Sequence, residues 1–350
     1  MVAPVRSVWQ TTLAVTPGII LLLIVASVVT LLTERISVIH PVLLAIITGF
    51  IIGNLGLVPP RYQTGIDTYR IWLAAAIILM GASFSVQDLL EGGVQLFGIV
   101  LGMVTIGLLF TEYISRRLFD VTEPLGSLLA AGSSICGVSA VVAVATSIRA
   151  KENYIAYAAG VVVLFDGITV ILFPIIGRLL GLTDIQYGVW VGVSMFSTGP
   201  VIAAGFVHSE LAGQWATLTK IMRNSLIGLV VVAYTVMYAA SRGDTAHPDA
   251  PVSRQRRTQW VLEKLWQDSP KFIIGFVFMI VLASTGIFTT TQTQVIETVY
   301  GWLFLIAFVG LGFEIDLDRI RNTGIQPIIV IFLSLVLLSS IAFAIVSILL

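Results

Sequence analysis

A helix needs about 20 apolar residues to cross the hydrocarbon core of a bilayer. Windows of that size select Leu13–Leu32, Val38–Val58, Ile71–Val86, Val94–Tyr113, Pro124–Ile148 and Tyr154–Leu180 in the first half of the chain. They select Ile185–Phe206, Trp215–Ala240, Phe272–Thr291, Glu297–Ile315 and Gln326–Leu350 in the second half. The pattern predicts an all-α polytopic membrane protein with about 11 transmembrane helices. The third and fifth blocks are the least regular.

The polar interruptions test this reading independently. If the N-terminus is cytoplasmic, the inside segments hold Arg6, Arg61, Arg70, Arg116, Arg117, Arg178, six basic residues between Arg242 and Lys271, Arg319 and Arg321. The outside loops then hold Arg35, Arg149 and Lys151, a split of 14 to 3. Cytoplasmic loops carry the excess of Lys and Arg, so the predicted topology is N-in and C-out. The block near the N-terminus reads as a retained first span, because no small-residue cleavage site follows it before Glu34-Arg35. One long polar stretch, 241–270, reads as a cytoplasmic linker between spans 1–8 (residues 1–240) and spans 9–11 (residues 271–350). Its basic residues read as a topology signal.

Composition agrees with lipid as the solvent. Apolar residues make up 57% of the chain and charged ones 11%, with mean hydropathy +1.00. A soluble domain carries about 25% charged residues. The net charge is zero, which leaves no basic footprint for nucleic acid. A single cysteine, Cys136, excludes an intrachain disulfide and a multi-cysteine metal site. His40, His208 and His247 lack metal-ligand spacing, and no metal or cofactor is expected beyond a coupling ion.

A weak internal similarity links Leu79-Met-Gly-Ala-Ser-Phe-Ser-Val-Gln-Asp88 to Phe308-Val-Gly-Leu-Gly-Phe-Glu-Ile-Asp316. Their spans are predicted to run in opposite directions, and inverted repeats underlie many transporter folds. Chance likeness between glycine-rich helices is the alternative.

Candidate chemistry concentrates at mid-membrane depth. Gly132-Ser-Ser-Ile-Cys-Gly137 crowds helix-weakening residues into the middle of the fifth block. Broken backbone there is tolerated only where protein or a watery cavity satisfies it. A broken helix offers free N–H groups and a positive dipole end to an anion. Ser133, Ser134, Ile135, Cys136 and Gly137 are therefore candidate substrate contacts; a small-residue packing face is the alternative. In the seventh block Pro200 is expected to kink the helix and free a carbonyl near Phe196. Ser194, Ser197 and Thr198 add hydroxyl oxygens beside it, fit for a coupling cation or an oxyanion; an ordinary kink is the bland reading.

Asp166 lies near the centre of the sixth block, and Lys220, Arg223 and Asn224 lie within the eighth. An ionisable group inside a membrane is a functional hypothesis by default. Arg223 and Asn224 are expected to hold a substrate anion, and Asp166, Ser194 and Lys220 to serve ion coupling. The structural alternative is an Asp166–Arg223 pair locking two helices. Glu314 and Asp316, near a span end, could simply be solvated.

These residues also carry a resemblance. Gly132–Gly137, Phe84-Ser-Val-Gln-Asp88, Tyr187-Gly-Val-Trp-Val-Gly192, Val201-Ile-Ala-Ala-Gly205 and Lys220-Ile-Met-Arg223 resemble the bacterial YeiH-like sulfate exporter family over nearly the whole chain. The resemblance implies the broad group of cation/proton antiporters and bile-acid symporters, with broken, crossed helices at the core and residence in the bacterial inner membrane. Members commonly have His-Glu where this chain has Phe196-Ser197, and a small uncharged residue where it has Asp166. The departures suggest that Asp166 has taken over ion coupling.

The expected function is secondary transport of a small anion, sulfate or sulfonate-like, coupled to H⁺ or Na⁺ by alternating access. Cation/proton exchange at Asp166 is the second reading. An intramembrane enzyme using Cys136 is remote, because no base sits at its depth. The expected partners are the anion, the lipid bilayer and a second copy in a homodimer.

Overall fold

The computed structural model describes residues 6–35, 40–56, 58–241, 271–315 and 325–350. The predicted linker, apart from its first residue and Lys271 beyond it, lies outside them, as does Asp316. The regular structure of the described residues is helical, without strands. They divide into two compact units: residues 1–93 with 272–318, and residues 94–271 with 319–350.

The first unit contains α1 (Arg6–Arg35), α2 (Pro41–Asn54), the short α3 (Gln63–Ile66), and α4 (Tyr69–Met80). The start of α5 (Val86–Arg117), α13 (Phe272–Ser284) and α14 (Thr290–Glu314) complete it. Helix starts follow from local chemistry. His40 caps α2, accepting from Val42 N at 3.4 Å, with Pro41 in the first turn where its missing N–H costs nothing. Thr289 and Gln292 form a reciprocal capping box at α14. Without a hydrophobic drive between helices in lipid, small residues set the contacts. Gly49 and Gly53 lie one turn apart on α2 and run alongside Val309, Gly312 and Phe313 of α14, the two helices parallel. α4 runs antiparallel to α14, with Tyr69 against Gly310 and Ser83 Oγ 3.3 Å from Tyr300 Oη.

Glu314 is not simply solvated, as the sequence suggested. Its carboxylate accepts from Arg70 Nη2 at 2.8 Å and from the Tyr69 hydroxyl. Asn54 Nδ2 donates to the Ile315 carbonyl at 2.7 Å, closing the end of α14.

The second unit holds the rest of α5 and then α6 (Glu123–Ser134), α7 (Val138–Ile148), α8 (Glu152–Leu179), α9 (Asp184–Ser194) and α10 (Thr198–His208). α11 (Glu210–Asn224), α12 (Ile227–Ser241) and α15 (Ile325–Leu349) follow. Among the described residues, seven helical segments are long and apolar enough to cross a membrane: 14–33, 60–83, 93–117, 152–179, 210–238, 290–314 and 325–349.

Two expected spans are not continuous helices. The block Pro124–Ile148 folds back on itself, so that a side chain at Gly132 of α6 would meet Val141 of α7. Ile185–Phe206 does the same: Tyr187 of α9 donates to the Ala204 carbonyl of α10 at 3.2 Å and stacks on His208 at 3.9 Å. Asp184 Oδ1 lies 3.6 Å from His208 Nε2, so the two ends of this block are neighbours. Each arm has 11 or 12 residues, about 17 Å at 1.5 Å per residue. That is half a hydrocarbon core. Helix α8 joins the open end of the first hairpin to that of the second and has 28 residues, a path of about 42 Å. The hairpins therefore enter the unit from opposite ends, and hydropathy alone does not separate a 25-residue crossing from two half-length arms.

The second hairpin packs on α11 through glycine. Gly188 and Gly192 of α9 face Ala212, Ala216 and Thr219, and Gly205 of α10 faces Gly213 and Ala216. Gly49→Val and Gly192→Val, which would drive methyl groups into α14 and α11, are each expected to lower stability by about 2 kcal/mol or more. Gly98→Ala and Gly102→Ala on α5, where a Cβ meets nothing within 4 Å, should stay within about 0.5 kcal/mol. Thermal unfolding in detergent compares the four.

Candidate functional site

The tips of the two hairpins touch. The first turns at Ile135, Cys136 and Gly137; Gly137 adopts φ +70°, a region open to glycine and strained for other residues. A Cβ there would strike Ser197 Oγ on the second tip, so the glycine is required twice over. The second tip is extended from Met195 to Ser197 (φ/ψ −76/159 and −93/153 at its ends). The sequence predicted a proline kink within a continuous helix here. Instead the helix stops before Pro200, which sits in the first turn of α10, where no N–H is needed from it.

Stopping two helices in the membrane orphans their last carbonyls. Lys220 and Arg223, one turn apart on α11 and 0% and 1% exposed, take them up. Lys220 Nζ donates to Ile135 O at 2.6 Å, Met195 O at 3.5 Å and Phe196 O. Arg223 donates from Nε to Ser134 O at 2.6 Å, from Nη1 to Met195 O at 2.6 Å and Gly192 O at 3.3 Å, and from Nη2 to Ser133 O. Both cations thus sit at the negative, C-terminal ends of α6 and α9, the ends that favour positive charge.

Asp166 supplies the converse. Near the middle of α8 and 4% exposed, its Oδ1 accepts from Ser197 N at 3.0 Å, placing a carboxylate at the positive start of α10. Asn224 Nδ2 donates to Thr198 Oγ1 at 3.0 Å, while Asn224 Oδ1 is buried without a hydrogen-bond partner, as are Ser134 Oγ and Ser194 Oγ. The Ser133 hydroxyl turns away from the tips, toward Ala130 O at 3.3 Å and Thr111 Oγ1 at 3.4 Å.

The structure therefore brings Ser134–Gly137, Asp166, Ser194, Ser197, Thr198, Lys220, Arg223 and Asn224 to one place. Their roles divide by helix end. C-terminal ends are closed by cations; the starts of α7 and α10 have no side-chain cap from Gly137 or Ser197. There Val138, Ser197 and Thr198 are half-buried and Ser139 is exposed. Two convergent helix starts of this kind favour a bound anion.

A polar network absent from the sequence reading lies at the open end of the first hairpin. Glu112, within the α5 block, accepts from Arg116 Nε at 2.6 Å, Ser127 Oγ at 2.6 Å and Tyr234 Oη at 2.8 Å. Arg116 also donates to Glu123 at 2.7 Å, and Ser127 lies 3.0 Å from Tyr238 Oη. The signal available was an acidic residue four before Arg116, the spacing of an ion pair on one helical face. The network ties α5, α6 and α12 together.

Comparisons with known proteins follow the same chain length. The family model described as Conserved hypothetical protein 698 matches residues 17–331. A UPF0324 membrane protein of Nitratidesulfovibrio vulgaris is 30% identical over 320 residues, covering 89% of this chain and 86% of its own length. One from Agrobacterium fabrum is 30% identical over 338 residues, covering 94% and 92%. One from Clostridium tetani is 31% identical over 257 residues, covering 73% of each.

Arg223→Met should cost about 3–5 kcal/mol, because it strands carbonyls of both tips in a water-poor interior. Arg223→Lys should recover part of it, since the ammonium restores charge without the planar fork of donors. Melting temperatures of purified protein rank the two; equal stability to the parent would remove the cation's role in closing the tips.

Proposed function

Since this chain belongs to the Conserved hypothetical protein 698 family, whose bacterial relatives are named membrane proteins, we propose that it is a multi-pass secondary transporter of a small anion. The observation that carries the reading is the meeting of two opposed half-membrane hairpins with their helix starts together, neither capped by its own N-cap side chain and that of α10 met by Asp166. Discontinuous helices near the bilayer midplane, their N-termini directed at anionic groups, build substrate sites in transporters. The anion is bound by N–H groups at the starts of α7 and α10 with the hydroxyls of Ser139, Ser197 and Thr198. Sulfate or a sulfonate is the class favoured by the YeiH-like resemblance. Lys220 and Arg223 act mainly through their field, because three Lys220 bonds and four of the five Arg223 N–H groups already serve carbonyls. Asp166 is the coupling site for H⁺ or Na⁺, and alternating access carries the tips between the two sides.

The hairpins also revise the proposed topology. Nine crossings with two re-entrant hairpins replace eleven crossings, and N-in, C-out is retained. Arg149 and Lys151 move to the cytoplasmic side and Arg178 to the outside. Only Arg35 and Arg178 then remain outside, a stronger bias than the original split. In the bacterial inner membrane, Glu152→Cys on a Cys136→Ser background should react with an impermeant thiol reagent only from the cytoplasm, and Asp184→Cys only from the periplasm. The reverse pattern restores continuous crossings.

Function is checked in proteoliposomes with labelled sulfate and methanesulfonate under imposed H⁺ or Na⁺ gradients. With unlabelled anion inside the vesicles, gradient-driven uptake of the label is expected, and Asp166→Asn should retain exchange of the anion but lose the response to the gradient. Proton-for-cation exchange with no anion flux would instead make Asp166 the site of a cation antiporter.

A further inference from the structure

The charged groups at the hairpin tips do not sum to zero. Along α6, α7, α9 and α10, from Pro124 to Ile148 and from Ile185 to Val207, the sequence contains no Asp, Glu, Lys or Arg. From Val94 to Thr111 on α5 and throughout α15 there is none either. The middle of this unit therefore holds Lys220 and Arg223 against Asp166, with the Cys136 thiol as the other ionisable group at the tip. Lys220 Nζ addresses three carbonyl oxygens, which uses the three protons of an ammonium. Arg223 is a guanidinium under any accessible condition. Two helix C-termini and two N-termini meet there, and their partial charges cancel. The unloaded core thus carries one surplus positive charge, and protonation of Asp166 would make it two.

We propose that the protein is an obligate anion exchanger: the core passes between its two orientations only with an anion bound. This rests on the transport reading above and adds its mode. Both cations are buried and fastened to carbonyls of their own unit, so they travel with it and cannot reach water on the way. A net charge in the membrane interior is costly and a neutral assembly is not. A monovalent anion held at the starts of α7 and α10 supplies the missing negative charge, as does a divalent one when Asp166 carries a proton; leaving without a replacement strands the core.

The test compares two efflux rates from proteoliposomes loaded with labelled sulfate, nitrate, bicarbonate or methanesulfonate, with the membrane potential clamped at zero. One external buffer holds the same unlabelled anion and the other holds only gluconate. For nitrate, bicarbonate or methanesulfonate, each of which brings the core to zero, exchange should exceed efflux into gluconate by about tenfold or more, the ratio expected if the unloaded barrier is higher by a fraction of the usual intramembrane charge penalty; divalent sulfate neutralises the core only together with a proton on Asp166. Equal rates overturn the exchanger while leaving transport intact. Absence of flux for all four anions overturns both. Asp166→Asn raises the surplus charge to two and should widen the ratio for monovalent nitrate. An unchanged or smaller ratio in a variant that still exchanges would mean that core charge does not set the barrier.

Discussion

A backbone carbonyl in the middle of a bilayer has no water to turn to, and the second unit is organised around that constraint. Ending a helix at mid-depth exposes several carbonyls at once. The unit does so twice, at Ser134 and Ser194, and answers both with two cations of one helix. The burial of Lys220 and Arg223 follows from this, as does the place of α11 between the tips. The glycine spacing of α9 follows too, because only small residues bring it close enough to α11 for Arg223 to reach Gly192 and Met195. Asp166 is the same principle with the sign reversed.

Much of this was legible in the sequence because it rests on composition. Apolar block length marked the membrane class, and Gly132–Gly137 marked a helix break that the structure places at Ile135–Gly137. Asp166, Lys220 and Arg223 stood out as charges at membrane depth, and all three lie at the tips. What the sequence did not carry was direction. A broken helix has a positive and a negative end, and residue type does not say which one a distant cation meets. Arg223 was expected to face an anion and instead closes carbonyls of α6 and α9. Likewise a run of 25 apolar residues satisfies a crossing and a hairpin equally, and the choice depends on contacts such as Tyr187 with His208. Glu112 does not stand out in the sequence, because a lone acid near the end of an apolar block reads as a boundary residue, while its partners Ser127 and Tyr234 lie far along the chain.

The first unit shows the complementary solution. Its described helices pack by backbone approach at Gly49, Gly53 and Gly312. Its charged cluster of Arg70, Tyr69 and Glu314 lies at helix ends, where partial exposure lowers the cost of charge. One unit is thus held by close apolar contact, and the other additionally by buried charge.

The fastening of both tips by α11 also constrains how the chain is made. Lys220 follows its acceptor Ile135 by 85 residues but Phe196 by only 24. When the first hairpin leaves the ribosome, the side chains that close its carbonyls have not yet been synthesised. Until α11 arrives, that tip can meet its hydrogen-bonding requirement only where water still reaches it, at the insertion machinery or the membrane surface. The second hairpin has its partner almost at once. The order of synthesis and the order of burial therefore differ: the hairpin born first is seated in the membrane only after the one born later is ready to receive the same helix.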